Sequence, residues 1–196
     1  MMNIHCRSLD TRVTVAVAVA LMFACVGAKS QSGKPTPGTP PVKVAMLDLA
    51  FYGKRANDLL PNDSAMAVIA TSTMRAALAQ APGLSFADSA TVAQAATSPE
   101  AKSASDGKPC NVIVACARSV GQQLGAKWVV MGKISKTSDL IWIFSGELID
   151  VASGKLVLDD SYELKGIASD MVPKGAQVFA RRVAKRMIAT DSAAMQ

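Results

Sequence analysis

The chain has 196 residues, a formal net charge of +6 at pH 7 and 50% hydrophobic residues, with one His and four Cys. Two Trp and two Tyr offer few stacking surfaces, and the cations are spread over many elements, which excludes a nucleic-acid footprint built from a clustered basic face with interleaved aromatics. The mild basicity serves solubility, and an anionic envelope surface is the charged partner it leaves open.

In chain order, residues 1–28 read as an export signal. Arg7 and Arg12 form a positive n-region, Val13–Val26 is an apolar or small run with Thr14 its only polar member, and Val26-Gly27-Ala28 supplies the small residues that signal peptidase needs before Lys29. The same segment allows three fates. It is cut between Ala28 and Lys29, it is lipidated at Cys25, or it stays as an uncleaved anchor. Met22-Phe23-Ala24-Cys25 puts Phe23 where a lipoprotein signal has a small residue, and the run is shorter than the roughly 20 apolar residues of a spanning helix. Cleavage removes His5, Cys6 and Cys25, leaves Cys110 and Cys116, and lowers the net charge by one as Arg7, Arg12 and Asp10 depart. Lys29–Gln196 is long enough for one domain with a sizeable core.

Residues 29–41 (KSQSGKPTPGTPP) form an extended Pro/Gly/Ser-rich linker. Val42–Phe51 is expected as a first strand, apolar in both alternating sets and so covered on both faces. Tyr52–Leu60 is a loop. Pro61-Asn62-Asp63-Ser64 starts a helix that runs to about Gln80, with Asn62 or Asp63 as cap and Met66, Ile69, Thr73, Met74, Ala77 and Leu78 as its buried stripe. Pro82-Gly83 stops it, and Leu84-Ser85-Phe86 is a short strand. Asp88–Ala96 is a short helix capped by Asp88 or Ser89, Thr97–Pro109 an exposed loop, and Val112–Leu124 a helix ended by Gly125.

Trp128–Ser135 is a strand and Lys136–Asp139 a turn. Leu140–Val151 is apolar on two faces, Ile141, Ile143 and Ile149 against Leu140, Trp142, Phe144 and Leu148, which argues for an interior place in the sheet. Ala152-Ser153-Gly154-Lys155 is a hairpin turn with Gly154 at positive φ. In Leu156–Leu164, Leu156, Leu158, Tyr162 and Leu164 face in while Asp159, Ser161 and Glu163 face water. Met171–Ala189 is an amphipathic helix with Val172, Ala176, Phe179, Val183 and Met187 toward the sheet and Arg181, Arg182, Lys185 and Arg186 outward. Residues 190–196 are expected to be a disordered tail. The fold class is therefore a layered α/β (α+β) domain over 42–189: a mixed sheet of about five strands with helices packed on it, ending in a hairpin meander and a C-terminal helix.

Two stretches carry a resemblance. Leu124–Ile134 (LGAKWVVMGKI) resembles the helix end and strand of TolB N-terminal domains and CsgG-like envelope proteins, and Glu147–Val157 (ELIDVASGKLV) resembles their hairpin, with Ser153 in place of the usual Thr. Gly125, Gly132 and Gly154 are fold-determining positions in these motifs: a helix end, a close backbone approach and a turn. The whole chain, through its Pro-rich start, VAMLDLAF, the Cys pair before LGAKWVVMGKISKTSDLIWIF and the basic last helix, resembles a family of exported bacterial proteins known only as a domain of unknown function. The resemblance implies a TolB-like fold and binding to other proteins of the cell envelope.

Candidate chemistry is sparse. Export into an oxidising compartment makes a Cys110–Cys116 disulfide the default, and the alternative, a redox-active pair, lacks the two-residue spacing of thioredoxin-like sites. Inside one helix the two would stand about 9 Å apart along the axis, so Cys110 must lie before the helix and fold back. A cleaved chain has no His for a hydrolytic triad, two Cys do not complete a zinc site, and no GxxxxGK loop is present. Asp159-Asp160 reads as a solvated edge, and Asp48 as a carboxylate that caps a loop or pairs with a cation. The i,i+4 columns Arg181/Lys185 and Arg182/Arg186 form a basic helix face open to an acidic partner. No catalytic residue, metal or cofactor is expected. The expected role is a non-enzymatic periplasmic adaptor or envelope-assembly factor with a protein partner, tethered to a membrane only if Cys25 is lipidated. The alternative is a periplasmic small-ligand sensor, which a pocket lined by Trp128 or Trp142 would favour.

Overall fold

The apolar run at 42–51 folds as two strands rather than one. A computed structural model describes residues 40–53 and 59–194 and places β1 at Val42–Met46 and β2 at Ala50–Tyr52. Both pair in parallel with the same neighbour, β4 (Trp128–Ser138), but Met46 lies opposite Val130 and Ala50 opposite Lys133. The chain thus has one residue too many for a continuous ladder, and 47–49 loops out. Leu47 N–H still reaches the Val130 carbonyl, and Leu49 N–H turns to the Thr71 hydroxyl at 2.9 Å. Gly132 permits this crowding: a Cβ there would lie 2.3 Å from the Ser145 carbonyl oxygen and 3.0 Å from Leu49 Cδ2.

The six strands form one open mixed sheet in the order β3-β1-β4-β5-β6, with β2 on β4. β3 (Leu84–Phe86) and β1 pair in parallel, whereas β5 (Ile141–Asp150) and β6 (Leu156–Lys165) follow β4 antiparallel. The layered α+β architecture and the interior place of 141–150 match the sequence reading, whereas Leu140 lies in the turn before β5 and is 64% exposed. At the 152–155 turn Asp150 Oδ1 accepts from both the Ser153 N–H and its hydroxyl, each at 2.7 Å, so Ser serves where the motif usually has Thr.

Helices cover both faces. Helix α1 (Ala65–Leu78) and the long α5 (Ala168–Ala194) pack on one face over Trp128, Val130, Trp142, Phe144 and Leu148. The short α2 (Ser89–Ala96), α3 (Pro99–Ser105) and α4 (Val114–Gln123) close the other over Val129, Met131 and Ile149. Val172, Ala176, Phe179, Val183 and Met187 are all fully buried, as their spacing predicts.

Several expectations are corrected. The 97–109 stretch is not an open loop: Ser98 caps α3 through the Ala101 N–H, Pro99 sits in its first turn, and Ala101 and Ser105 are buried. The stripe of α1 is Ala67, Ala70, Thr71, Met74 and Leu78, while Ile69 is only partly covered and Val68 is 70% exposed. The small Ala67 and Ala70 let neighbouring elements approach, which turns the larger apolar residues outward. Neither Asn62 nor Asp63 caps α1; its N-cap is Ser64, with no side-chain cap bond. Strand β4 continues through the expected 136–139 turn to Ser138. Leu156 is exposed because the β5–β6 register shifts between Leu148 and Ile149. Residues 190–194 continue α5 instead of forming a tail. The signal at 1–28 and the linker up to residue 39 lie outside the described residues.

Candidate functional site

The strand order creates a crevice. From β1 the chain crosses by α1 to β3 on one side, then by α2–α4 to β4 on the other, along opposite faces of the sheet. The carboxyl ends of β1 and β4 therefore lie at a topological switch point, where connections diverge and leave a cleft. Two cavities occupy it. One, of about 270 Å³, is bounded by Leu47, Asp48, Arg75, Val92, Ala96 and Asn111 among others. The other, of about 610 Å³, lies beside β2 against Phe51, Tyr52, Pro109, Asn111 and Lys136.

Asn111, together with Pro109, lines both cavities. Its Nδ2 donates to the Asp48 carbonyl at 3.0 Å, while Oδ1 is buried and finds no hydrogen-bond partner among the described residues. Arg75, on α1, donates through Nη2 to Asp48 Oδ1 at 2.7 Å and to the Met46 carbonyl at 3.2 Å; its Nε–H is buried and equally without a partner among the described residues. Asp48 is thus an exposed carboxylate paired with a cation, one of the two roles expected for it.

On the other side stands Lys136, with a side chain only 1% exposed. Its Nζ donates to Asp63 Oδ2 at 2.8 Å and Asp139 Oδ1 at 2.6 Å, and lies 5.7 Å from the Trp142 ring centre. Burial alone would lower this ammonium; the two carboxylates overcome it and hold its pKa above the ordinary value. Burial likewise would raise Asp63, but the bonds from Lys136 and the Leu60 N–H hold it below.

The expected disulfide is present. Cys110 sits in a 3-10 turn, Cys110–Val112, ahead of α4, Cys116 lies in the first turn of α4, and their Cα atoms are 4.9 Å apart. Both sulfurs are buried, against the Ala96 and Ala101 carbonyls. The bond pins the wall of the crevice that carries Asn111.

All four residues of the basic face, Arg181, Arg182, Lys185 and Arg186, are exposed, and Arg182 also reaches Asp160 on β6 at 3.2 Å. Asp160 is buried and also accepts from the Tyr162 hydroxyl at 2.6 Å, so the Asp159-Asp160 pair is not a solvated edge on both sides. Trp128 and Trp142 lie in the core and line neither crevice cavity. Cys25, Ala28 and Lys29 fall outside the described residues. Sequence reasoning passed over Arg75, Asn111 and Lys136. Lys136 had a signal, because it continues the inward alternation of Trp128, Val130, Gly132 and Ile134; the other two had none.

The DUF3280 family, described as "Protein of unknown function (DUF2380)", matches residues 42–183. The chain belongs to the DUF3280 family. No curated protein matches it. Among solved structures it is similar to the LpoB C-terminal domain from Salmonella enterica, at 17% identity over 66% of this chain and 87% of that one, with a TM-score of 0.44. It is similar to TolB from Acinetobacter baumannii, at 13% identity over 76% of this chain and 29% of that one, TM-score 0.45. A third similarity is to lipoprotein GNA1162 from Neisseria meningitidis, at 13% identity over 66% and 84% of the two chains, TM-score 0.44. The family agrees with the resemblance read along the whole chain, and the TolB similarity with the one carried by 124–134 and 147–157.

The chemistry open to this DUF3280 chain follows from its donor sets. Among the described residues no group of three or more His, Cys, Asp or Glu could hold a metal ion, and no helix is long and apolar enough to cross a membrane. What the described residues do present is a crevice at the carboxyl ends of β1 and β4, and a long sheet edge at β6.

Proposed function

We propose that this DUF3280 chain is a non-enzymatic protein of the bacterial envelope that binds a protein partner through the outer edge of β6. The observation that carries this reading is the position of β6. It ends the strand order, runs for ten residues from Leu156 to Lys165, and pairs with β5 alone among the described residues. An open edge of that length is a template for strand addition. Asp159, Glu163 and Lys165 are exposed along it, the charges with which edge strands discourage pairing with copies of themselves while leaving a complementary partner strand free to dock.

In this reading residues 1–28 direct export to the periplasm, 29–41 act as spacer, and 42–189 with the rest of α5 form the binding domain. The exposed Arg181, Lys185 and Arg186 lie on α5, the helix packed over the sheet that β6 ends, and add a basic surface for an acidic segment of the same partner. Lipidation of Cys25 would tether the whole to a membrane, whereas a mature start at Lys29 would release it. Mass spectrometry of the mature N-terminus separates the two.

The test is site-specific photocrosslinking in cells. A photoreactive residue at Glu163 is expected to give one dominant protein adduct that a probe at Gln122, exposed on α4 across the sheet from α5, does not give. Equal or absent labelling from the two sites would overturn the proposal.

A further inference from the structure

The side chains along β6 narrow the kind of strand its edge takes, an inference that rests on the β6 reading above. On the face of the sheet that carries Met131, Glu147 lies opposite Met131 and Asp159 lies opposite Glu147. Two carboxylates are thus direct cross-strand neighbours, a pairing that disfavours the sheet. Asp159 is exposed on the edge strand and has no cation at ion-pair distance among the described residues. Lys133, the cation that acts on Glu147, has its Nζ over the Tyr52 ring, 5.7 Å from its centre. Burial, then Asp159, hold the Glu147 carboxyl above the usual range against that smaller lowering.

The like charge sits on the β5 side of Asp159, and the open edge is on the other side. A strand added outside β6 places one side chain directly beside Asp159, away from Glu147. A Lys or Arg there makes a favourable cross-strand pair and offsets the repulsion within the sheet. Glu163 stands on the same face, but Lys165 Nζ already lies 3.2 Å from its Oε1, so Asp159 sets the stronger preference.

Side chains alternate between the two faces of a strand, so the neighbours of that cation turn toward α5. There Leu158 and Tyr162 are half-buried, with the Tyr162 ring 6.0 Å from that of Phe144. Asp160, between them, is taken by Arg182 and the Tyr162 hydroxyl. Apolar side chains on the added strand extend the row of Leu158 and Tyr162. A second copy of β6 is a poorer occupant. Antiparallel and centred on Ser161 it sets Asp159 against Glu163 twice, and parallel in register it sets each carboxylate against itself. We infer that the strand docking on β6 alternates apolar and cationic side chains, with a Lys or Arg beside Asp159 and apolar residues beside Leu158 and Tyr162.

The test is amide NMR of the isotope-labelled protein titrated with acetyl-Val-Lys-Val-Lys-Val-Lys-Val-amide, which reads the same in both directions. Peptides with Ser or Glu in place of Lys are the controls. Shifts are expected at Asp159, Ser161 and Glu163, with the Ser peptide about five-fold weaker and the Glu peptide weaker still. Asp159→Asn, an exposed change that keeps the shape, should weaken the Lys peptide about three-fold and leave the Ser peptide unchanged. The Glu147 carboxyl resonance adds a second readout, since bound Lys peptide should move its titration midpoint down. The inference is overturned if the Ser or Glu peptide binds as tightly as the Lys peptide, if Asp159→Asn leaves the Lys peptide unaffected, or if the shifts lie away from β6. Edge shifts on raising the protein concentration alone would assign the edge to a second copy and overturn it too. Edge shifts without charge preference would leave the β6 reading standing. No edge shifts with any peptide overturns the inference, and the Glu163 adduct in cells decides the β6 reading separately.

Discussion

At the scale of single residues, Lys136 carries the largest individual stake in stability. Its buried ammonium neutralises two carboxylates, one of them Asp63, whose side chain is only 11% exposed. Removing one partner of a buried pair strands the other, at a cost of about 3–5 kcal/mol. Lys136→Met is therefore expected to lower the urea midpoint by that equivalent, measured by equilibrium unfolding. The pH signs follow from the shifts. Asp63 is held below its ordinary 3.8, so its stabilisation is present above that value and lost as pH falls through the folded-state pKa. Lys136 is held above its ordinary 10.5, so its share is present below that value and lost as pH rises through the folded-state pKa. Glu147 behaves oppositely. Burial, then the nearby Asp159, raise its pKa against a smaller lowering by Lys133, and its Oε2 is buried without a hydrogen-bond partner among the described residues. A carboxyl raised on folding disfavours the fold when ionised. Glu147→Gln is expected to raise the melting temperature at pH 7 and to flatten the gain that the parent shows as pH falls toward that pKa. An unchanged or lower melting temperature would contradict this.

At the scale of elements, α5 is seated by one ring and one ion pair. Phe179 lies over Gly146, where a Cβ would come within 2.6 Å of the ring, and 5.4 Å from the Phe144 ring centre. The Arg182–Asp160 contact closes the far side, with Tyr162 donating to the same carboxylate. Phe179→Ala should cost about 3–5 kcal/mol through lost burial and the cavity left behind, read from chemical denaturation. The disulfide ties the 3-10 turn to α4 across a separation of six residues. So short a closure is worth about 2–3 kcal/mol on the chain-entropy model. The double change Cys110→Ser, Cys116→Ser should lose that much stability while keeping the far-UV circular dichroism of the parent.

At the scale of the whole molecule, one sheet serves two cores. Alternate residues of β4 point to opposite layers, Trp128 and Val130 into one, Val129 and Met131 into the other. Neither layer can lose its sheet without exposing the other, so the domain should unfold in one transition. Both Trp residues sit in the α1/α5 layer, so their fluorescence reports that layer alone, whereas circular dichroism reports both. The two thermal curves are expected to coincide. A separate early transition in circular dichroism would mean that α2–α4 fold independently.

The strands at 128–135 and 141–150, the hairpin turn, the inward face of α5 and the disulfide were legible because each depends on local spacing: period two, period 3.6, a positive-φ glycine, or two cysteines too far apart to bond inside one helix. Local spacing failed wherever distant residues competed for the same groups. Asp63, a candidate cap for α1 alongside Asn62, is taken instead by Lys136 across 73 positions. The 42–51 run was expected as one strand but breaks because β4 offers one residue fewer. The sequence by itself determined the layered class and the order of the main elements, β2 and α3 apart, since burial periodicity is a property of each segment. Only the tertiary structure decided the crevice, because Asp48, Arg75 and Asn111 meet through the crossing of α1 and α2–α4 on opposite faces of the sheet, and no short-range pattern records that crossing.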